Sequence, residues 1–222
     1  MPDSAHWAVF LAAAFVLLIT PGPSIMYVVA RGVTEGDQAA MLSSLGLALG
    51  DEIQVIAAAF GISAAFDSAP KLLVGLKFAG AGYLVLLGIR TLLRKGLRTV
   101  EKPTEATPSQ TSSRALILQG LLALNPKTGL FLLAFLPQFV MPGRGPIAIQ
   151  MLALGSVFAI IGMITNSLFG CMGARLGVLT LKNPRLQGAT RYVSGAILIV
   201  LGIMAALATG EVHTLAVRTG TL

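Results

Sequence analysis

The chain has 222 residues, 55% of them hydrophobic and only 11% charged, whereas a soluble globular domain carries roughly a quarter charged residues. A surface of that composition is tolerated only in lipid, and the length suits one helical bundle rather than several domains. The net charge of +7 does not point to nucleic acid, because the basic residues lie in short loops between apolar runs, without an aromatic platform or a basic stripe.

Apolar stretches occupy residues 7–30, 39–66, 72–93, 115–140, 147–172 and 192–208, each near the ~20 residues that cross a bilayer as a helix. Residues 7–19 have the length of a signal-peptide core. No Lys or Arg precedes them, however, and no small-x-small cleavage site leads into a soluble domain, so a retained helix is expected. Inside this first stretch stands Thr20-Pro21-Gly22-Pro23-Ser24. Proline lacks the backbone donor and clashes with the preceding turn, so carbonyls near positions 17 to 20 should lose their partners. A break of that kind at membrane depth is tolerated only against protein or a watery cavity.

The second stretch contains Gly46-Leu47-Ala48-Leu49-Gly50-Asp51-Glu52 and, two residues on, Gln54. An ionisable group at mid-membrane costs ~2.5–3.5 kcal/mol even on insertion scales, so it usually faces a partner or a water-filled path. Asp51 shares a helix face with Gly46 or Leu47 and with Gln54 or Val55. Glu52 points about 100° away, toward an interface or another subunit. The linker 94–114 is basic, rich in Ser, Thr and Pro, and reads as solvated. The fourth stretch is interrupted by Asn125-Pro126-Lys127. In the fifth, Asn166 beside Thr165 and Ser167 reads as interhelical glue. The single cysteine, Cys171, excludes intrachain disulfides and Cys-rich metal sites.

Lipid-exposed backbone must satisfy its own hydrogen bonds, and stretches this long and uniformly apolar are not barrel strands. The expected fold is therefore an all-α integral membrane protein with six transmembrane helices, a single domain over residues 1–222. Pro21 and Pro126 stand 105 residues apart, and the same offset lays 39–66 close to the fifth stretch. Two three-helix repeats follow, about 7–93 and 115–209, with broken helices 1 and 4. An odd number of helices per repeat makes their topology inverted, the arrangement that places a solute site at the midplane of secondary transporters. Eleven of the 16 Lys and Arg fall on the side of Arg31, the 94–114 linker and the loop before the last stretch. The positive-inside rule makes that side cytoplasmic and both termini periplasmic.

The half-helices beginning at Pro23 and Pro126 would aim unpaired N–H groups and positive dipole ends into a cavity, which suits a carboxylate. Candidate solute-binding residues are Pro21, Gly22, Pro23, Ser24, Asp51, Gln54, Asn125, Pro126 and Lys127, with Asp51 the candidate proton carrier. Asp51 and Lys127 as a structural ion pair, or Lys127 snorkelling to a headgroup, are the plainer alternatives. No phosphate-binding GxxxxGK[ST] loop occurs, so coupling to ATP within the chain is not expected, nor is any cofactor. His6 and His213 lie outside the apolar stretches, which leaves no serine–histidine pair for an intramembrane hydrolase.

Four blocks occur in order: Ile19-Thr20-Pro21-Gly22-Pro23, Gly46-Leu47-Ala48-Leu49-Gly50-Asp51, Lys77-Phe78-Ala79-Gly80-Ala81-Gly82-Tyr83-Leu84, and Asn125-Pro126-Lys127 followed by Leu136-Pro137-Gln138-Phe139. This pattern closely resembles the LysE/RhtB family of amino-acid exporters, from about Phe10 to Ala208. The resemblance implies export of amino acids or derivatives from a bacterial cytoplasm across the inner membrane, driven by protons. Many members carry a histidine one turn beyond the second-span glycine motif, where this chain has Gln54, which shifts proton coupling toward Asp51. The expected partners are a small amino-acid-like substrate, protons and membrane lipid, with small-residue faces compatible with a homodimer. A cation or metal exporter and a non-transporting assembly subunit are the competing readings.

Overall fold

The computed structural model describes residues 4–20, 22–68, 70–93, 112–123, 126–141, 143–181 and 184–207, with backbone alone at 4–5, 66–68, 70–72, 126–127, 130, 176–181 and 184–191. Among the described residues the chain forms eight α-helices, one short 3-10 turn and no strand. Pro21, Asn125 and most of the 94–114 linker lie outside them.

Helix α1 (Ser4–Ile19) stops just before the first proline pair, and α2 (Pro23–Glu35) resumes at an angle of 51°. The α1 end is closed by its own sequence. Thr20 N–H turns back to the Leu17 carbonyl at 3.2 Å, and the Thr20 hydroxyl donates to the Val16 carbonyl at 2.6 Å, replacing the lost helical donor. Pro23 opens α2, where a missing N–H costs nothing. Gly22 precedes it in an extended conformation and supplies no side-chain cap.

Gly36 alone separates α2 from α3 (Asp37–Ser68). Its φ of 87° lies in the left-handed region that favours glycine. Helices α4 (Pro70–Leu93), α5 (Ser113–Leu122) and α6 (Pro126–Phe135) follow, and α6 runs into the 3-10 turn Leu136–Phe139. Then come α7 (Ile147–Leu181) and α8 (Pro184–Leu207). Before α7, the buried Gln150 side chain clamps the connection. Its Nε2 donates to the Met141 and Gly145 carbonyls, each at 3.0 Å, while its Oε1 accepts from Met141 N–H at 2.9 Å.

Three helical segments, residues 37–65, 73–93 and 147–175, are long and apolar enough to cross a membrane, and the bent α1–α2 pair qualifies as a fourth when taken together. Helix α5 and residues 192–207 of α8 are apolar but shorter. Helix α7 continues past the expected end at 172, because no proline intervenes before Pro184. Beyond 172 it is tied to the start of α3 by Arg175 Nη2 and Asp37 Oδ2, 3.1 Å apart. Large apolar side chains including Phe60, Ile160, Leu168 and Leu93 face outward, as a lipid-facing surface requires.

Glycine sets how the helices meet. On the α4–α8 contact a Cβ added to Gly88 would stand 2.7 Å from the Gly195 carbonyl oxygen, and one on Gly195 2.9 Å from that of Gly88. The two backbones therefore touch, as small residues permit where lipid removes the drive to associate. Gly202 against Ala81 and Gly88 against Gly195 place the two helices antiparallel. Helix α3 is likewise antiparallel to α7, with Asp37 near Arg175, Glu52 near Ser156 and Val55 near Gly155. Gly32 of α2 abuts Gly170 of α7, and Gly46 of α3 abuts Gly120 of α5. An aromatic block stands elsewhere: Phe131 packs on Phe135 at 4.8 Å and on Phe158 at 5.4 Å, Phe135 on Phe139 at 4.9 Å, and Phe139 on Phe10 at 5.4 Å.

Candidate functional site

The break between α1 and α2 opens onto a cleft with about 360 Å³ of empty space, its mouth included. Its lining comes from five helices: Leu17, Leu18 and Thr20 at the end of α1, Gly22, Ser24 and Ile25 at the start of α2, Asp51 of α3, Thr128 of α6, and Phe158 and Asn166 of α7. Each position has a sequence cause. The prolines stop one helix and start the next, so residues on both sides of the break face one space. Thr128 lies in the first turn of α6, so the starts of two half-helices border the same cleft.

A first helical turn has no intrahelical acceptor for its N–H groups and carries the positive end of the helix dipole. Two such turns beside one cleft favour an anionic group there. The opposing charge is Asp51, 9% exposed, which forms no ion pair among the described residues. Gly162 of α7 leaves its carboxylate room: a Cβ added there would lie 4.0 Å from Asp51 Oδ2 and 3.2 Å from Leu18. Thr20, Thr128 and Asn166 are 2%, 6% and 6% exposed, so a solute entering the cleft meets hydroxyl and amide groups rather than bulk water. Leu17, Leu18, Ile25 and Phe158 make the rest of the wall apolar, the usual mixture of a small-molecule site.

Of the candidate residues, Gly22, Ser24 and Asp51 line the cleft. Pro23 opens α2 and is itself exposed. Gln54 lies one turn along α3 from Asp51, with its Oε1 against Gly129 of α6 and its Nε2 buried without a partner. Pro126 and Lys127 form the start of α6, and their side chains, like Pro21 and Asn125 altogether, lie outside the described residues. Glu52 turns away from the cleft and accepts a hydrogen bond from Ser156 Oγ of α7 at 2.7 Å. Sequence reasoning missed Thr128, Phe158 and Asn166. Asn166, read as interhelical glue, faces the cleft, and the available signal was a carboxamide inside the most apolar stretch.

A family model for LysE type translocators matches residues 15–209. An uncharacterized membrane protein of Pseudomonas aeruginosa is 30% identical over 211 residues, covering 91% of this chain and 95% of its own length. A homoserine/homoserine lactone efflux protein of Salmonella typhimurium is 27% identical over 205 residues, covering 91% and 96%. The membrane protein YrhP of Bacillus subtilis is also 27% identical over 205 residues, covering 89% and 97%. No solved structure matches the chain. With the family model spanning both helix breaks and the cleft between them, the chain belongs to the LysE type translocators and is a membrane-embedded transporter.

Proposed function

We propose that the chain exports small amino acids or their derivatives from the bacterial cytoplasm across the inner membrane, exchanging them for protons. The observation that carries this reading is the meeting of two half-helix starts and one buried carboxylate, Asp51, around a single cleft. A zwitterion presents the complementary pair of charges. The first turns of α2 and α6 take its carboxylate, and Asp51 answers its ammonium or, on the return, carries the proton. Thr20, Ser24, Thr128 and Asn166 hydrogen-bond the remainder. Gln54, at the α3–α6 contact, and Pro21, Asn125 and Lys127, at the breaks, complete the site. Homoserine and its lactone, named as the solutes of the Salmonella relative, are of a polarity that suits this lining.

The architecture that serves such a cycle is six spans in two inverted three-helix repeats, α1–α4 and α5–α8, each opening with a broken span. The antiparallel courses of α3 with α7 and of α4 with α8 support it, because corresponding helices of inverted repeats run in opposite directions. The basic loops then lie in the cytoplasm and both termini in the periplasm. The test is release of a panel of preloaded amino acids from cells with and without the protein. Faster release of homoserine or another small neutral amino acid is expected, and a panel in which no amino acid leaves faster overturns the proposal.

A further inference from the structure

Two turns along α2 from the cleft lies a buried polar cluster that the proposed solute site does not use. Ser24 lines the cleft, and Tyr27, Val28 and Arg31 continue its face at helical spacing, which sets Arg31 about 10 Å further along the axis. Arg31 is 9% exposed. Its Nη1 donates to Glu35 on the same helix and its Nη2 to Gln119 Oε1 on α5, so one guanidinium fastens α2 to α5. The guanidinium carbon also stands 5.5 Å from the centroid of the Tyr27 ring. Two donors of this cluster are left over: Arg31 Nε and Tyr27 Oη are buried, and beyond their contact with each other neither has an acceptor at hydrogen-bond geometry. Buried donors are rarely abandoned in folded proteins, and adjacent ones suggest an acceptor that arrives from outside.

We propose that Arg31 and Tyr27 form a second solute site, which recognises a carboxylate on the basic-loop side of the cleft, and that occupying it loosens α5 from α2. A carboxylate binds an arginine best through two parallel hydrogen bonds. The edge with a vacant donor is the one formed by Nε and Nη2, and Tyr27 Oη adds a third donor. Nη2 is also the atom that holds Gln119, so a carboxylate seated on that edge competes directly with the tie to α5. Close by, Gly120 touches Gly46 and the Ser43 carbonyl of α3, a contact of bare backbones that can slide once the polar fastening is released. The solute's own carboxylate would thus undo the closure in front of it and pass on to the cleft.

This inference rests on the reading of the chain as an amino-acid exporter, and two probes separate the two ideas. L-Homoserine has a carboxylate, whereas L-homoserine lactone has none. Each is presented to purified protein in liposomes from the side that carries the basic loops. Arg31→Gln is expected to raise KM for homoserine by about tenfold or more, the loss of a hydrogen bond to a charged group, and to leave KM for the lactone unchanged. Tyr27→Phe should raise KM for homoserine alone, by less, and stands in if Arg31→Gln does not insert. Gln119→Leu cuts the tie and removes the competitor for Nη2 while keeping the donors of Arg31 and Tyr27, so KM for homoserine should fall and turnover of both solutes should rise. If Arg31→Gln or Tyr27→Phe shifts both solutes alike, the cluster is only a structural tie and the inference fails. Wild-type protein that moves neither solute would instead remove the exporter reading on which it depends.

Discussion

Replacing Asp51 with asparagine keeps the shape and polarity of the side chain while removing its ability to carry a proton. Among the residues lining the cleft Asp51 is the only acidic one, so the lining can carry at most one proton per cycle. One proton crossing one pH unit releases about 1.36 kcal/mol, which sustains roughly a tenfold solute gradient. Wild-type protein in liposomes, with the membrane potential clamped at zero and one pH unit imposed, should therefore hold labelled homoserine near that ratio. Asp51→Asn should bring the ratio to unity. Counterflow of labelled against unlabelled solute at equal pH needs no proton transfer. It should persist, because Thr20, Thr128, Asn166 and the helix starts still shape the cleft. A variant that still maintains the gradient refutes the assignment of Asp51 as carrier. Loss of counterflow in equal measure would make Asp51 a binding or structural residue instead.

Other expectations follow from the breaks, the orientation and the glycine contacts. Changing Pro21 and Pro23 together to alanine lets α1 run on into α2 and withdraws the α2 donors from the cleft; protein should still insert, measured by membrane fractionation, while export is lost. A reporter fused after Leu222 should be active only on the periplasmic side, and activity in the cytoplasm would reverse the assigned topology. Gly88→Ala places a methyl 2.7 Å from the Gly195 carbonyl oxygen, so α4 and α8 must separate. Overpacking of this kind costs about 1–3 kcal/mol, read as a lower Tm in detergent with transport retained in the surviving protein.

How much could be seen in the chain beforehand depended on how local the cause was. All-helical structure followed from long apolar stretches, and the helix ends at Ile19 and Leu122 from prolines a few residues on, because a proline acts on its own turn. Asp51 stood out because a carboxylate in an apolar run is costly wherever the helix packs. Thr128 and Phe158 had no such mark, and the carboxamide of Asn166 marked a polar group without saying what it faces: their place in the cleft depends on how α6 and α7 lie against the α1–α2 break, and sequence periodicity does not report that. The same holds for the Arg31–Gln119 contact, which joins residues 88 positions apart. Helix α7 runs to Leu181 rather than stopping near 172, since hydropathy marks where lipid ends and not where a helix does.

The α4–α8 pair has a consequence for how such a transporter can change its cargo. None of the residues lining the cleft belongs to either helix, yet their glycine-mediated contact joins one end of each half of the chain. Variation at positions such as Thr128, Phe158 or Asn166 therefore leaves that joint untouched, and a lineage can explore new solutes by substitution in the cleft without first securing its assembly anew.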